Sequence, residues 1–492
     1  MTVEPKPQPT IVDPAVDRMS DCFRSERREP ERSPEQASLD RLTAAARAPR
    51  HNQGRRSLAL ALVLAALTLF VPLAFAQESG SRPTPESVLG QRYRLVLDLV
   101  RHTATYSPPV ASRAFAYLGV IAYEATASGR NDLKTLAGQL NGLGPLPGRQ
   151  PGEVYDEAVV LDAALSAATE RFFGNTGPTG QRAMRALDAK LSPGVARSLP
   201  HDVADRSRTY GRTLAEAVSA WADADNTGPI VNMGFPLTYT PNPSPGHWRP
   251  TSTIAQQQAP LLPDWGRARP FAMSTRASCD LPPPLPYSAE KDSAFYREAI
   301  EVRDTSAHLT DEQKAIARFW SDDPMLSTTP PGHWIQIAFE ALDGEGTPID
   351  RKVDLLARLS VAMADAFISC WTTKYEFDLI RPITYIRANI DPAFTPILIT
   401  PPFPEYPSGH STQSAAAAEV LTQFFGDNYA FEDAAHVRDG LPPRKFASFR
   451  AAAEEAAISR LYGGIHFRTA IERGLGQGRC VAAYANALKT RM

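Results

Sequence analysis

The amino-acid sequence predicts an all-α fold of two helical bundles. Apolar residues recur at intervals of three and four along many segments, which is the period of an amphipathic helix. A comparable alternation of apolar and polar residues, as expected for strands, is not found in the sequence. The chain has 492 residues, of which 43% are hydrophobic, so it can bury a core large enough for two packed units.

The N-terminal part of the sequence carries a polar leader and an apolar segment. Residues 1–54 are polar and contain prolines, so we expect them to be disordered. Residues 55–76 contain two arginines, an uncharged run from Leu58 to Phe75 and the end Ala74-Phe75-Ala76, which is typical of an export signal peptide. The alternative is a membrane anchor, because the run is just long enough to span a bilayer. Both interpretations predict an exported protein, periplasmic or secreted, which stays tethered if the segment is not cleaved.

The N-terminal helical bundle is predicted to span residues 77–228. Helical patterns cover residues 84–130, 152–173 and 201–225. Pro108 and Pro109 interrupt the first of these patterns, because proline cannot continue a helix that has already begun. The sequence therefore predicts a break at this pair.

Residues 229–286 form a proline-rich crossing segment between the bundles. The segment holds 13 prolines, a density that excludes a long helix. It also contains Trp248, Trp265 and Phe271, which a solvated linker would not need. We therefore expect an extended segment that is packed against the helices.

The C-terminal helical bundle is predicted to span residues 287–492 and to hold the functional site. Antiparallel helices joined by short turns favour such a bundle. The helical patterns cover residues 289–304, 310–320, 335–342, 352–379, 411–425, 445–462 and 468–489.

Charge and cysteine content limit the classes of partner and of metal site. The formal net charge is −2 and the isoelectric point is near 6.5, with no long block of Lys or Arg, so nucleic acid is excluded as a partner. Three cysteines follow the apolar segment, Cys279, Cys370 and Cys480, and their spacing matches no zinc motif. One disulfide can form among them, although a chain of this size does not require it.

The first group of candidate site residues lies in "KYEFDLIRP". Lys374 and Arg381 are seven residues apart, so on a continuous helix both cations project from one face. Such a pair usually decorates a solvated face. Trp371 and Phe377 nearby, and Pro382 directly after the arginine, favour a pocket instead.

The second group lies in "YPSGHST", where a predicted helix begins. The free N–H groups of a first helical turn and the helix dipole favour an anion, and Gly409 allows the backbone to approach a ligand. Ser408 offers a hydroxyl, although Ser408 or Ser411 could simply cap the helix. Capping by serine does not explain why His410 also lies at the start of this helix.

The third group lies in "SRLYGGIHFRTAIERG", where Arg460 and His466 are separated by a Gly-Gly break. A single histidine in such a context is more often a packed, hydrogen-bonded residue than a ligand. The combination of the three groups is more informative than any member. Five positions could together surround a tetrahedral oxyanion, leaving His410 and His466 for chemistry: Lys374, Arg381, Ser408, Gly409 and Arg460.

Taken together, the three groups resemble the family of vanadium-dependent haloperoxidases and type-2 phosphatidic acid phosphatases. The family pattern is Lys, six residues, Arg-Pro; then Pro-Ser-Gly-His; then Ser-Arg, five residues, His. Here it is found from Lys374 to Arg381-Pro382, in Pro407 to His410, and from Ser459-Arg460 to His466. Weaker similarity extends back through "ARFWSDDP" and "TPPGHW". Because it covers so much of the sequence, the chain resembles the secreted bacterial haloperoxidase-like branch of the family. The chain lacks the several membrane helices of lipid phosphatases, so we expect no membrane contact beyond residues 55–76.

The resemblance implies a cofactor and a role for each residue. Vanadate would be bound axially by His466, with phosphate as a competitor, and the five anion-binding positions would neutralise its equatorial oxygens. His410 would be the acid–base group that takes a proton from hydrogen peroxide. Lys374 would help to activate the peroxide towards a halide, and the product would halogenate an organic acceptor.

The resemblance also implies neighbours of the site. Trp371 and Phe403 occupy the positions of an apolar wall in fungal chloroperoxidases. Such a wall would leave a chloride poorly hydrated, so it extends the expected halide from bromide, which is easier to oxidise and needs less help, to chloride. Asp323 matches an acidic residue that pairs with the last arginine, here Arg460, with Asp322 as the neighbouring choice.

One position departs from the family pattern. The family often has Asp four residues after the last histidine, where it would hydrogen-bond the free ring nitrogen, and here that position is Ala470. Glu472 is two residues further on. We therefore expect Ala470→Asp to tighten vanadate binding.

Two other functions compete with the haloperoxidase. The first is an exported acid phosphatase, in which His466 is phosphorylated and His410 protonates the leaving alcohol. The second is a non-catalytic helical protein that binds an oxyanion. The presence of His410 argues against the second, because simple binding needs no acid–base group.

Overall fold

Helices carry the fold in the part of the chain that the structure, a computed structural model, describes: residues 81–232, 234–236, 238–252 and 257–492. These residues contain thirteen α-helices and one two-stranded sheet, which confirms the predicted all-α class. The predicted disordered leader and the predicted export segment lie outside the described residues. None of the helices within them is both long and apolar enough to cross a bilayer.

Five helices form the N-terminal half. They are α1 (Pro85–Arg101), α2 (Pro108–Ala127), α3 (Glu157–Phe173), α4 (Pro178–Val195) and α5 (His201–Asp223). The proline pair that predicted a break occupies the first turn of α2, where a missing N–H costs no hydrogen bond. The sequence did not predict α4, which contains Pro193 in its last turn.

Eight helices and a hairpin form the C-terminal half. They are α6 (Ala294–Ala307), α7 (Asp311–Phe319), α8 (Thr329–Gly344), α9 (Ile349–Phe377), α10 (Pro382–Asn389), α11 (Gly409–Phe425), β1 (Phe431–Asp433), β2 (Arg444–Phe446), α12 (Phe449–Tyr462) and α13 (Arg468–Asn486). The strands pair antiparallel, with Phe431 opposite Phe446. Strands of three residues are too short to produce a visible alternation, which is why the sequence did not predict them.

Helices α2 and α9 form the centre of the core. Residues of α2 are buried along almost its whole length, and it packs against α9. A Cβ atom at Gly119 would lie 3.0 Å from the Leu356 carbonyl oxygen, so glycine allows the two helices to approach closely. The main hydrophobic cluster joins both halves, and residues 81–492 form one compact unit. The boundaries at 228 and 287 stay a prediction.

The proline-rich segment is packed against α9. Both oxygens of the buried Asp365 carboxylate accept backbone hydrogen bonds from the segment, from the N–H groups of Phe271, Ala272 and Met273 at 2.6–2.9 Å. A disulfide between Cys279 and Cys480 joins the same segment to α13, and Cys370 is a buried free thiol. The segment is thereby held along α9, the helix at whose end the candidate site begins.

We expect Asp365→Ala to lower the free energy of unfolding by about 3 kcal/mol or more, because three buried N–H groups lose their acceptor. Urea unfolding followed by circular dichroism measures the change. Glu376→Ala, an exposed carboxylate on the same helix, is the control and should change stability by less than about 0.5 kcal/mol. Equal stability of the two variants would contradict this role of Asp365.

Candidate active site

The end of α9 brings Lys374 and Arg381 into the site by a route different from the predicted one. The helix ends at Phe377, and Asp378 adopts a left-handed conformation with φ 47°. Arg381 is the N-cap of α10, followed by Pro382 at the first helical position. The prediction of one continuous helix face was therefore wrong, although both cations are fully buried in the same site.

Lys374 is held by backbone carbonyl groups. Its ammonium group donates to the carbonyl oxygens of Pro404 and Glu405, both at 3.0 Å, and to that of Pro407. Burial lowers the pKa of Lys374 to about 8. The lysine thus fixes the segment that leads into α11, and all three of its donors are in use.

Arg381 contacts the candidate vanadium ligand directly. Its Nε donates to the Phe403 carbonyl at 2.8 Å, and its Nη1 lies 2.9 Å from the Ile465 carbonyl and 3.1 Å from Nε2 of His466. Its Nη2 is buried without a hydrogen-bond partner. Burial lowers the pKa of Arg381 to about 10.

The start of α11 places Ser408, Gly409 and His410 together. Ser408 is the N-cap, and its hydroxyl accepts from the Ser411 N–H at 3.3 Å, so the capping alternative describes one of its contacts. Nε2 of His410 is buried without a partner. Burial, followed by the charge of Arg460, holds the pKa of His410 well below its usual range, so the imidazole is neutral at neutral pH.

Arg460, near the end of α12, is the third buried cation. Its Nη1 donates to the Trp320 carbonyl at 2.6 Å, and its Nε is buried without a partner. Burial lowers the pKa of Arg460 to about 10, and the charge of Asp323 opposes this shift. Within the described residues Asp323 influences Arg460 through space and forms no hydrogen-bonded ion pair with it. The neighbouring Asp322 hydrogen-bonds His333 instead.

Glu405 is the site residue that sequence analysis missed. Its Oε1 accepts from Nδ1 of His466 and from the Phe467 N–H, both at 2.8 Å. Glu405 thus accepts the hydrogen bond that the family pattern assigns to an Asp at position 470, where this chain has Ala. Glu472, the other acid considered for this role, is exposed. Burial raises the pKa of Glu405 to about 8, despite the opposing charges of Arg381 and Lys374. A carboxylate so close to the Pro-Ser-Gly-His motif was the only signal in the sequence.

The hydrogen bond to Glu405 determines the tautomer of His466. With the proton on Nδ1, Nε2 keeps its lone pair and faces the three cations. Burial, followed by the charge of Arg381, holds the pKa of His466 well below its usual range, so the ring stays neutral. A neutral imidazole with a lone pair on Nε2 is the form that can bind a metal centre or attack phosphorus, once the 3.1 Å contact from Arg381 Nη1 opens.

Trp371 and Phe403 form an apolar wall beside the cations. Their ring centroids are 5.0 Å apart, and the Lys374 ammonium lies 5.2 Å from the Phe403 centroid. The indole N–H of Trp371 faces the Leu261 carbonyl at 3.3 Å. The wall therefore presents apolar ring surface to a small anion, and the neighbouring cations are the groups that would bind the anion.

The site fits a tetrahedral oxyanion. Three nitrogen atoms around His466 are buried without partners: Arg381 Nη2, Arg460 Nε and His410 Nε2. Buried polar groups without partners are costly. Oxygens of vanadate or phosphate would accept from the two arginine nitrogens, and a hydroxyl group of the same anion would donate to the neutral His410 Nε2. The three buried cations outnumber the two acidic groups beside them, Glu405 and Asp323, which also favours an anion. The structure thus brings all predicted anion-binding residues together, although their roles stay predictions.

Comparisons with known proteins relate the chain to vanadium enzymes. The family model described as "VCPO second helical-bundle domain" matches residues 354–492. The vanadium chloroperoxidase of Curvularia inaequalis is 26% identical over 237 residues, which cover 41% of this chain and 37% of that enzyme. The aligned part thus spans little more than a third of the fungal enzyme's length.

Two solved structures extend the comparison to most of the chain. The first bacterial vanadium-dependent iodoperoxidase is 39% identical, with a TM-score of 0.76, and the match covers 83% of this chain and 98% of that one. A holo-type bacterial vanadium-dependent chloroperoxidase is 17% identical, with a TM-score of 0.62, and the match covers 82% and 95% of the two chains. The second likeness shows a shared fold.

We expect Glu405→Ala to weaken vanadate binding by about 10- to 100-fold, the usual effect of removing a carboxylate behind a ligating histidine. Ultraviolet titration of the purified protein with orthovanadate measures the dissociation constant. Glu472→Ala, which removes an exposed carboxylate, is the control. Unchanged affinity in Glu405→Ala would refute the orienting role.

The structure reverses the expectation for Ala470→Asp. Ala470 is 1% exposed within an apolar cluster, and Glu405 already accepts the Nδ1–H of His466. An added carboxylate has no free hydrogen to accept, so we expect a loss of about 1–3 kcal/mol in stability and no gain in vanadate affinity. Thermal unfolding and vanadate titration test both parts, and tighter binding would contradict the expectation.

Proposed function

Because this chain belongs to the vanadium haloperoxidase family, whose members are peroxidase-class oxidoreductases, we propose that it binds vanadate and oxidises halide with hydrogen peroxide. The reaction consumes peroxide, halide and one proton and gives hypohalous acid and water. The halide loses two electrons to the peroxide, whose O–O bond breaks. Hypohalous acid then replaces a hydrogen of an organic acceptor by halogen and releases a second water molecule.

The observation that carries the proposal is the set of unpartnered nitrogens on Arg381, Arg460 and His410 around Nε2 of His466. His466 would bind vanadium, and the two arginines would each give a free donor to a vanadate oxygen. Ser408 and the Gly409 N–H would add donors from the start of α11. Lys374 would contribute its charge, and one of its hydrogen bonds to the 404–407 backbone would have to open for direct contact.

Each histidine has one task in the proposed reaction. When bound, vanadate would supply a Lewis acid that activates the peroxide, and the oxidation state of vanadium would not change. His410 is neutral because burial lowers its pKa, so its Nε2 can take a proton from hydrogen peroxide and later return it. Glu405 keeps the ring of His466 in one tautomer throughout.

We propose iodide and bromide as the halides that the protein oxidises. Chloride is the halide whose oxidation would depend most on the apolar wall. The 39% identical structure is named an iodoperoxidase, which supports iodide. The Trp371 and Phe403 wall supports the more demanding oxidations, because a poorly hydrated halide beside two ring faces is easier to bring to the reacting oxygen. Iodide and bromide give up electrons more readily than chloride and need less help from the wall.

We propose that the protein is exported. The disulfide between Cys279 and Cys480 supports this, because such bonds persist in oxidising compartments. The signal-like pattern of residues 55–76 supports it independently.

A phosphatase is the second candidate, and Glu405 is the observation that favours it. In the sequence alone, Ala470 leaves the nucleophile of a phosphatase without an orienting carboxylate, and the hydrogen bond from His466 to Glu405 removes that objection. His466 Nε2 would then attack phosphorus, and His410, once protonated, would donate to the leaving alcohol.

We expect the metal-stripped protein to halogenate a phenolic dye with peroxide and iodide or bromide only after orthovanadate is added. His466→Ala should abolish this activity, while His308→Ala, an exposed histidine, should leave it unchanged. Phosphate should compete with vanadate. Halogenation that does not need vanadate, or that survives His466→Ala, would refute the proposal. Hydrolysis of a phosphomonoester, inhibited by vanadate and without any halogenation, would establish the phosphatase.

We expect vanadate affinity to fall as the pH rises above about 8. The pKa of Lys374 in the free protein is lowered to about 8, and a bound anion favours the ammonium form. Above that pH, binding must take up a proton, so the dissociation constant should rise by up to about tenfold per pH unit. Titrations between pH 7 and 9.5 measure this slope. Lys374→Arg keeps its charge over that range. Its slope should therefore be smaller than that of the wild-type protein and should come from vanadate's own ionisation and from Glu405, whose pKa is also raised to about 8.

A further inference from the structure

A second buried cluster of charged side chains lies next to the site and takes no part in the proposed chemistry. It is centred on His333, which is fully buried in the first turn of α8, within the "TPPGHW" stretch. Its partners are Asp322 from the loop before α8 and Asp433 from β1. His436, shortly after β1, faces the other oxygen of Asp322 at 3.3 Å.

The contacts of His333 define its charge. Nδ1 lies 3.0 Å from Oδ2 of Asp322, and Nε2 lies 2.8 Å from Oδ2 of Asp433. A neutral imidazole has a single N–H, so two carboxylate partners require the protonated form. The two carboxylates raise the pKa of His333 well above its usual range, although burial opposes them.

Contacts within the cluster leave His333 no lone pair for a metal ion. Ligand atoms of Asp322, His333 and His436 lie within 4.8 Å of one another, which is close enough to consider a cation. Both ring nitrogens of His333 already donate to carboxylates, however, so no lone pair is free. Asp439 pairs with Nδ1 of His436 and with Arg101. The imidazolium of His333 and the guanidinium of Arg101 thus oppose the three carboxylates, and Asp322 raises the pKa of His436 although burial opposes it.

The cluster is connected to the site through Trp320. The indole ring stacks on His333, with centroids 4.7 Å apart, and two residues later Asp322 adopts a left-handed backbone with φ 49°. The Trp320 carbonyl accepts from Nη1 of Arg460 at 2.6 Å, and the Trp320 backbone lies close enough to His410 to raise its pKa against the effect of burial. One short turn therefore presents its carbonyl to a cation and to the acid–base histidine of the site.

We propose that His333 is a positioning residue, which fixes Asp322 and the 320–323 turn so that the Trp320 carbonyl holds Arg460 and His410 in place for the anion. The proposal rests on the proposed vanadate site and adds a layer of residues to it. Neither His333 nor Asp433 touches the anion. Their effect is transmitted through the turn, because a turn with a left-handed aspartate requires its side chain to be held.

Two variants test the proposal, His333→Gln and Asp433→Asn. Asp433 accepts from the imidazole N–H of His333 and from the Ala435 N–H, the latter at 3.0 Å. In Asp433→Asn the NH₂ group would have to face one of these two donors, so one hydrogen bond would be lost. Glu432→Gln, on the exposed face of the same strand, removes the same charge and is the matched control. Vanadate titration, the kcat and halide KM of the vanadate-loaded protein, thermal unfolding and elemental analysis are measured for all.

We expect Asp433→Asn to raise the vanadate dissociation constant about tenfold and to lower kcat by a similar factor. This is the low end of the 10- to 100-fold range that is usual when a residue behind the metal ligands is removed. The KM for halide should change less than about twofold, because the halide wall is untouched. His333→Gln should act in the same way if it folds, and Asp433→Asn decides the matter if it does not.

Three results would overturn the proposal. Asp433→Asn could match Glu432→Gln in vanadate affinity and kcat while only its thermal stability falls, which would make the cluster merely structural. One equivalent of a divalent metal, whose removal by a chelator abolishes vanadate binding, would make the cluster a metal site. A wild-type protein that binds no vanadate would refute the proposed function, and this inference with it.

Discussion

The burial of three cations together, Lys374, Arg381 and Arg460, is the constraint on which the rest of the site depends. Charges removed from water are costly, and like charges repel, so each cation needs compensation. Glu405 lies among these cations, but burial keeps its pKa high, and Asp323 acts on Arg460 without a hydrogen bond. Backbone carbonyl groups supply most of the compensation instead. The peptide segments that carry these carbonyls are therefore held as firmly as the side chains, which leaves donors aimed at a common point.

The helical scaffold provides the rigidity that this arrangement needs. α9 delivers the lysine from the centre of the core, where close contact with α2 restricts its movement. The proline-rich segment is bound to the same helix through Asp365 and to α13 through the disulfide. Donors from distant parts of the chain can stay directed at one point only if the elements that carry them do not shift, which is the requirement for preorganised anion binding.

Sequence patterns predicted what is local, and the structure supplied what depends on contacts between distant residues. Most helices have a clear period and were predicted, whereas α4, α10 and the short hairpin were not. The spacing of the three motifs identified the cations and both histidines. It could not identify Glu405, because that residue and His466 are separated by 61 positions. Asp322 and Asp323 are neighbours in the sequence, so only their different surroundings distinguish them.

The carboxylate of Glu405 has an evolutionary consequence. His466 has one Nδ1–H to give, so an acid at position 405 and an acid at position 470 are alternative solutions to the same need. A lineage that acquires the first is free to lose the second, and afterwards cannot lose the first without harm. The order of the two substitutions is thus constrained, and a family alignment scored one column at a time would not detect such a dependence between the two positions.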